Sequence, residues 1–359
     1  MRKLFLLVCV STLLAPLAVQ GQTQQIQVYG AWHCGNDYCT WSTPRTFAEF
    51  DSKNHWLIER GNGSSAPSVN LVVLSFVHPL RLLNKTTDTQ TLLGVPRGMT
   101  AEVVKYFTDN GIRVMLSIGG ITYVDAWNQA LAANATQLGL NAAELATNLG
   151  VGIEIDYEES SRPNLIGLQA FIDAYRSVHP YDPTGIDSTA RLTIDLAAGD
   201  RWLIGITEKA TKDWLRTNAP VLDYANAMVP ARQPGSAADA IANWQEHIDG
   251  KPRYSPPILP LAPAKFTGSL FLTTGRKPIA ECTNFSASLQ KSTGSYVQSA
   301  KPSGAGTTSG MLGYMFWAAE CQGTRTVCTT PPSGTCEGGV GEGARSYGVS
   351  IPMLPLRQQ

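Results

Sequence analysis

Three carboxylates fall on alternate residues of a short stretch whose other residues favour a buried strand. The stretch is Gly152-Ile153-Glu154-Ile155-Asp156-Tyr157-Glu158. Side chains two residues apart on a strand share one face, and they are spaced by about 6.6 Å at a rise of about 3.3 Å per residue. Adjacent carboxylates repel one another and lose solvation on burial, so one of them is expected to keep a proton near neutral pH. Such a carboxylic acid can donate a proton to a leaving oxygen.

The elements that must position this row follow a regular alternation along the chain. The predicted strands are Gln25–Trp32, Asn70–Val77, Ile112–Gly120, Gly150–Glu158, Arg191–Gly199, Val221–Ala231, Pro257–Phe266 and Met311–Ala319. The predicted helices are Thr100–Asn110, Asn141–Asn148, Leu165–Val178, Thr207–Thr217 and Ala237–Asp249. Strands that alternate with helices are parallel and joined by right-handed crossovers. Eight repeats predict the α/β class, with a single closed (β/α)8 TIM barrel.

Two regions depart from a minimal barrel. Thr267–Gly310 is rich in Gly, Ser and Thr and predicts an extended loop or a small insertion before the last strand. The region from Thr329 to the last residue is rich in Gly, Pro and Thr and predicts a tail that wraps the surface or is partly disordered. The expected organisation is therefore a leader at 1–21, a barrel at 22–328 and a tail at 329–359.

The beginning of the sequence predicts export. Met1-Arg2-Lys3, a short apolar run and then Gln20-Gly21 have the pattern of a secretory signal peptide, so we expect a secreted, extracellular protein. The formal net charge is +0 and no basic run occurs, which argues against nucleic acid or an anionic membrane as partner. No later run approaches the ~20 apolar residues that span a bilayer. A single secreted domain further predicts a monomer.

The cysteines are interpreted in that oxidising context. Six remain after the leader is removed, namely Cys34, Cys39, Cys282, Cys321, Cys328 and Cys336. An even number predicts up to three disulfides, with Cys34 and Cys39 as a local pair and the other connectivities open. No paired CxxC or HExxH spacing occurs, so we predict neither a metal nor another cofactor. Sequons at Asn62, Asn84, Asn134 and Asn284 make glycosylation possible in a eukaryotic source.

The barrel prediction places the carboxylates at a specific end. Active sites of such barrels gather at the carboxyl ends of the strands, and Glu158 closes the fourth predicted strand there. We therefore assign the proton-donor role to Glu158. Asp156, on the same face, supplies a like charge that raises one pKa of the pair, which titrates as a unit.

Two motifs on neighbouring strands resemble a known family. Ser117-Ile118-Gly119-Gly120 and the acidic row that follows on the next strand look like the third- and fourth-strand signatures of family-18 glycoside hydrolases, the chitinase family. Further matches are Tyr29 with Trp32, Ser75-Phe76, and Gly313-Tyr314-Met315-Phe316-Trp317. The resemblance extends from about Gln25 to Ala319.

The resemblance implies a retaining mechanism in which the substrate's own N-acetyl group attacks the anomeric carbon. Glu158 would protonate the leaving oxygen, Asp156 would orient the acetamide and stabilise the oxazolinium ion, and Glu154 would be the deep acid of the row. Trp317 would form the floor of the sugar subsite and Tyr29 and Phe76 its walls. Met228 and Tyr157 complete the expected substrate-binding set. The implied substrate is chitin or an N-acetylglucosamine oligosaccharide.

Departures from the family pattern keep other functions open. The family usually has Asp where this chain has Val151 and Glu154, and polar residues on the sixth strand where this chain has Pro230 and Ala231. Loss of a hydrogen bond there costs roughly 1–3 kcal/mol. One alternative is a catalytically weak or inactive chitinase-like carbohydrate-binding protein. Another is an endo-β-N-acetylglucosaminidase acting on N-glycans. A structural carboxylate pair, a tight glycine turn and ordinary aromatic packing are the alternatives for the individual motifs.

Overall fold

In a computed structural model of the protein, the described residues are 26–34, 41, 46–60, 64–197, 202–228, 236–271, 287–302, 309–319 and 336–356. Several predictions fall outside them: the leader 1–21, Pro230, Ala231, Cys39, Cys282, Cys321, Cys328, Asn62 and Asn284. Cys34 is disulfide-bonded, but its pairing with Cys39 stays a prediction. Asn84 and Asn134 are exposed.

The described residues form ten strands, eight of which close into a barrel. They are β1 (Val28–Cys34), β2 (Leu71–Val77), β3 (Thr91–Leu92), β4 (Val95–Pro96), β5 (Arg113–Gly119), β6 (Gly152–Asp156), β7 (Leu192–Ala197), β8 (Ala225–Met228), β9 (Phe266–Phe271) and β10 (Gly313–Trp317). The barrel order is β1, β10, β9, β8, β7, β6, β5, β2, and every pairing in it is parallel. This confirms the predicted (β/α)8 fold. Strands β3 and β4 form a separate antiparallel hairpin.

Helices connect the strands in the expected alternation. They are α1 (Phe47–Ile58), α2 (Pro79–Leu83), α3 (Ala101–Thr108), α4 (Val124–Leu149), α5 (Leu165–Val178), α6 (Ile204–Lys209), α7 (Ala237–Asp249), α8 (Ala287–Ser299) and α9 (Cys336–Ser346). The predicted bounds of α5 and α7 are confirmed. The predicted helix at Asn141–Asn148 is only the second half of α4, whose helical backbone is interrupted at Asn134. A π-helical turn at Ala210–Trp214 follows α6.

The seventh barrel strand lies later in the chain than its prediction. We expected Pro257–Phe266, whereas β9 begins at Phe266. Proline has no N–H to give to a ladder, and Pro257, Pro260 and Pro263 occupy the predicted strand. The strand forms only after the last of them. The predicted loop or insertion at Thr267–Gly310 therefore starts too early, because its first residues belong to β9, and it contains the helix α8.

Each barrel strand sends alternate side chains to two layers. On β1, Trp32 points into the barrel, where its indole N–H donates to Glu154. Tyr29 points outward, and its hydroxyl donates to the carbonyl of Val340 in α9. An apolar cluster inside the barrel consists of Val28, Trp32, Leu71, Val73, Met115, Tyr224, Leu312, Met315 and Met353. We call the amino ends of the strands the floor and their carboxyl ends the mouth.

Residues 336–356 pack against the barrel. Val340 of α9 is fully buried, and Met353 joins the apolar cluster inside the barrel. Gln27 Nε2 donates to the carbonyl of Pro355 at 2.9 Å. Residues 336–356 thus complete the outer layer with a helix and close the floor.

Replacing Met353 with alanine is expected to lower the free energy of unfolding by about 2–5 kcal/mol, because the substitution leaves a cavity in the floor. The Met353 side chain is 7% exposed, and Arg191 Nη1 lies 2.8 Å from its sulfur. Urea unfolding measures the change. The neighbouring Leu354 is 40% exposed, so Leu354→Ala is the matched control and should change stability by less than about 0.5 kcal/mol. Equal effects of the two substitutions would contradict the role of Met353.

Candidate active site

The deepest part of the site is a hydrogen-bonded carboxylate, Glu154 on β6. Its Oε1 accepts from Trp32 Nε1 at 2.8 Å, and its Oε2 accepts from Asn226 Nδ2 at 2.7 Å. Thr267 donates to Asn226 Oδ1 at 2.6 Å, which turns the amide N–H toward Glu154. Ser117 on β5 lies opposite Glu154 in the parallel ladder. The barrel thus supplies one buried carboxylate with donors from two other strands, β1 and β8.

The proposed acid pair lies at the mouth, where β6 ends. Asp156 is the last residue of the strand, and Glu158 follows two residues later. The Asp156 carbonyl accepts from Trp127 Nε1 at 3.1 Å and from the Gly120 N–H at 2.9 Å. Both carboxyl side chains are buried, and they interact by a hydrogen bond. The two-residue spacing therefore brings them together as predicted.

Burial is the main cause of the altered acidities. It raises the pKa of Glu158 to about 7, while hydrogen bonds from Asp156 and from the Ile121 N–H act in the opposite direction. Burial also raises the pKa of Glu154 to about 7. Burial, followed by the charges of Glu158 and Glu154, lifts the pKa of Asp156 well above its usual range. The like charge expected from the sequence thus raises the pKa of Asp156, whereas the pKa of Glu158 is raised by desolvation.

Two glycines at the end of β5 permit close packing around the pair. A Cβ on Gly119 would lie 1.9 Å from the carbonyl oxygen of Asp156 and 2.2 Å from Trp127 Nε1. Gly120 has φ of 88°, and a Cβ there would lie 3.0 Å from the Phe76 ring. The glycines of the Ser-x-Gly-Gly motif therefore let β5 approach both the acidic strand and an aromatic ring.

Partly exposed rings border the carboxylates at the mouth. Trp317 stacks on Phe76 with ring centroids 5.7 Å apart and an interplanar angle of 25°. Its ring also meets Trp32 edge-on at 6.4 Å. Met228, at the end of β8, is partly exposed and shares its strand face with Asn226. The structure thus gathers Trp317, Phe76 and Met228 at the mouth, in the barrel end that holds the acid pair.

Two residues of the expected substrate-binding set lie elsewhere. Tyr29 packs between the barrel and α9, with its ring centroid 4.9 Å from that of Phe316. Tyr157 points away from the lumen, where its ring packs near Trp127 at 5.6 Å and its hydroxyl bonds Asn128. Strand alternation explains both corrections, because each residue is one position removed from a lumen-facing neighbour. Trp32 lines the lumen in place of Tyr29.

Sequence reasoning also missed residues that complete the lumen. They are Trp32 as a donor, Asp195 on β7, Asn226 on β8 and Thr267 on β9. A polar residue that recurs on one face of an otherwise apolar strand was the available signal. Their contacts with Glu154 and with one another could not be predicted, because these contacts depend on the register between strands.

The departures from the family pattern have different structural settings. Val151 is fully buried in the core between barrel and helices, so it removes no carboxylate from the lumen. Glu154 remains inside the lumen with both oxygens bonded. Pro230 and Ala231 lie outside the described residues.

Within the ranges that the structure describes, no group of three or more His, Cys, Asp or Glu is arranged to hold a metal ion. Nor is any described helix long and apolar enough to cross a membrane.

The barrel is similar to solved structures of chitinases. A family-18 chitinase from Pseudoalteromonas aurantia matches with a TM-score of 0.52 and 13% identity, over 81% of this chain and 93% of that one. A chitinase from Rhizomucor miehei matches with a TM-score of 0.51 and 13% identity, over 88% of this chain and 99% of that one. Chitinase ChiA74 from Bacillus thuringiensis matches with a TM-score of 0.50 and 11% identity, over 93% of this chain and 71% of that one. No family model and no curated protein matches the sequence. At these identities the likeness establishes a shared fold.

Proposed function

We propose that the protein is a secreted glycoside hydrolase that cleaves β-1,4-linked N-acetylglucosamine in chitin or its oligosaccharides. The observation that carries the proposal is the Asp156–Glu158 pair at the mouth of the barrel, in the same barrel end as the stacked Trp317 and Phe76 rings. The fold shared with chitinases and the export pattern at the amino terminus support it.

Glu158 is the proton donor in this mechanism. Its pKa of about 7 means that the acid form is present below that pH and is lost above it. A donor with a pKa near the working pH combines the right protonation state with a useful driving force for proton transfer. Proton transfer to the glycosidic oxygen allows the leaving sugar to depart as an alcohol.

Asp156 stabilises the positive charge that develops at the reacting sugar. When Glu158 carries the proton of the pair, Asp156 is the anion and can accept a hydrogen bond from the substrate's acetamide N–H. That contact orients the acetamide oxygen toward the anomeric carbon and stabilises the oxazolinium ion, which makes the reaction retaining. Water then opens the ring of this intermediate, and Glu158 takes back a proton.

The aromatic rings at the mouth hold the sugar. The flat apolar face of a pyranose packs on an exposed aromatic ring, and Trp317 and Phe76 are both partly exposed. Trp32 supports Trp317 from within the barrel. This arrangement favours binding of a sugar above the carboxylates in a fixed orientation.

Incubating the mature protein with chitin oligosaccharides and, separately, with a high-mannose glycopeptide tests the proposal. We expect mass spectrometry to detect shortened chitin oligosaccharides, and NMR to show that the first product formed is the β-anomer. Release of the N-glycan alone would move the substrate to N-glycans. Calorimetric binding of the oligosaccharides without any cleavage would overturn hydrolysis in favour of a carbohydrate-binding protein.

A further inference from the structure

A fourth carboxyl, Asp195, lies inside the barrel beside the acidic row. It stands on β7, which neighbours β6, and its side chain is 1% exposed. In the parallel ladders, Asp195 lies opposite Asn226, and Glu154 lies opposite Thr193. By this register Asp195 lies in the lumen two residues nearer the mouth than the level of Glu154, with which its side chain interacts.

The hydrogen bonds of Glu154 bear on which of the two carboxyls, Glu154 or Asp195, carries a proton. Glu154 accepts from Trp32 at one oxygen and from Asn226 at the other, so both of its oxygens act as acceptors. An indole N–H can only donate, and Thr267 fixes the orientation of the Asn226 amide. Glu154 thus acts as an acceptor at both oxygens, an arrangement that stabilises its anionic form.

Asp195 is the neutral partner of that anion. Its side chain shares a hydrogen bond with Glu154, and such a bond between two carboxyls requires one proton. Since Glu154 accepts, the proton belongs to Asp195. Oδ1 of Asp195 has no hydrogen-bond partner among the described residues, a condition that costs a neutral acid less than an anion. Burial, and then the charges of Glu154 and Asp156, raise the pKa of Asp195 well above its usual range.

We propose that Asp195 is a positioning residue that keeps a proton directed at Glu154 and thereby leaves Asp156 free to exchange its own proton with Glu158. The inference rests on the proposed hydrolysis and assigns a role that the acidic row itself does not contain. No bond to substrate involves Asp195. The only proton that moves within the site during donation passes between Asp156 and Glu158.

The proposal explains how Asp156 can ionise at all. Asp156, the last residue of β6, lies between Glu154 on the strand and Glu158 two residues beyond it, so it must become an anion next to other carboxyls. If Asp195 were also ionised, the deep pair would carry two negative charges instead of one. Its proton therefore lowers the repulsion that Asp156 meets when Glu158 takes up the proton for the leaving group.

Among the residues that the structure describes, few other charges bear on Asp195. The titratable groups facing it from β6 are Glu154 and Asp156. β8 presents an amide at the opposite ladder position. From α7, His247 hydrogen-bonds the backbone carbonyl of Ala197 at the mouth end of β7. Arg191 lies at the floor end of β7 and donates to the sulfur of Met353. Substitutions at Asp195 should therefore affect Glu154 before any other titratable group.

Kinetics of two Asp195 variants test the proposal. Asp195→Asn keeps an N–H donor for Glu154 and cannot ionise. Its kcat should therefore stay within about 3-fold of wild type, and the alkaline limb of its pH–rate profile should be unchanged. Asp195→Ala removes the donor and should lower kcat by about 10- to 100-fold, with little change in KM. Thr193→Val, on the same face of β7, is the control without a titratable group and should behave as wild type.

Three outcomes would overturn the proposal. A shift of the alkaline limb to lower pH in Asp195→Asn would mean that the wild-type residue is an anion, since removal of a negative charge lowers the pKa of a nearby acid. Equal losses in both variants would show that the neutral donor is not what matters. Full activity in Asp195→Ala would remove the role altogether. If Asp195→Ala does not fold, the pH profile of Asp195→Asn decides alone.

A measurement without substrate separates this inference from the proposed function. Infrared spectra of the wild type are recorded at pH 7.5–8, which lies above the pKa of Glu158 of about 7. They should retain a neutral-carboxyl band that Asp195→Asn lacks. A wild-type protein that does not hydrolyse chitin but shows this band would contradict the proposed function and leave the protonated Asp195 in place. Absence of any difference between the two spectra would contradict the protonation of Asp195 itself.

Discussion

Glu158→Gln should lower kcat/KM for chitin oligosaccharides by about 10²- to 10⁴-fold, because glutamine has the same size but no acidic proton to donate. The loss should be in kcat, since the rings of Trp317 and Phe76 that are proposed to hold the sugar are unchanged. Steady-state assays on an oligosaccharide with a chromogenic leaving group, together with calorimetric binding, measure the two quantities. Undiminished activity would show that Glu158 is not the donor.

The next residue offers a closely matched control. Glu159 is hydrogen-bonded by the hydroxyl and N–H of Ser161 and by the N–H of Arg162, which lower its pKa to about 2. It is thus ionised throughout the working range and cannot serve as an acid. Glu159→Gln should retain activity within about 2-fold. A loss as large as that of Glu158→Gln would mean that the substitutions disturb the loop and not the chemistry.

Substitution of Asp156 should produce the second large effect and separate its two roles. Both Asp156→Asn and Asp156→Ala remove the negative charge that stabilises the oxazolinium ion, so kcat should fall by about 10²-fold or more. The wild-type rate should decline above pH 7, as Glu158, with its pKa of about 7, loses its proton. Asparagine can still donate a hydrogen bond to Glu158, and the alkaline limb should stay in place.

Asp156→Ala should instead move that limb to higher pH. The hydrogen bond from Asp156 lowers the pKa of Glu158, so its removal raises that pKa and preserves the acid form further into the alkaline range. Rate profiles from pH 4 to 10 distinguish the variants. A limb that moves to lower pH in Asp156→Ala, or a wild-type rate in either variant, would contradict the assignment.

Local signals account for the elements that the sequence predicted well. The Asn164 side chain caps α5 at the Gly167 N–H, the Ser236 side chain caps α7 at the Asp239 N–H, and Gly250 follows the end of α7. The acidic row was likewise predictable, because its spacing lies within one strand. Helix α1 also has a capping box at Thr46 with Glu49, a local signal that the prediction overlooked.

Other features depend on contacts between distant parts of the chain. The partnership of Trp32, Asn226 and Glu154 arises from the packing of three strands, none of which is adjacent to either of the other two in the barrel. No pattern in a single strand reveals it. The misplacement of Tyr29 and Tyr157 had a different origin, since strand alternation alone would have turned both side chains outward. Family resemblance located the right strands but not the right face.

The contact between Gln27 and Pro355 brings the first strand and the final described segment side by side at the floor. A circularly permuted gene could therefore join residue 356 to residue 26 through a short linker without crossing the mouth. New termini opened in an exposed connection, for example near Ile186, would leave all eight barrel strands intact. Partner domains could then be fused away from the carboxyl ends of the strands, so that the sugar-facing side stays accessible on an insoluble polymer.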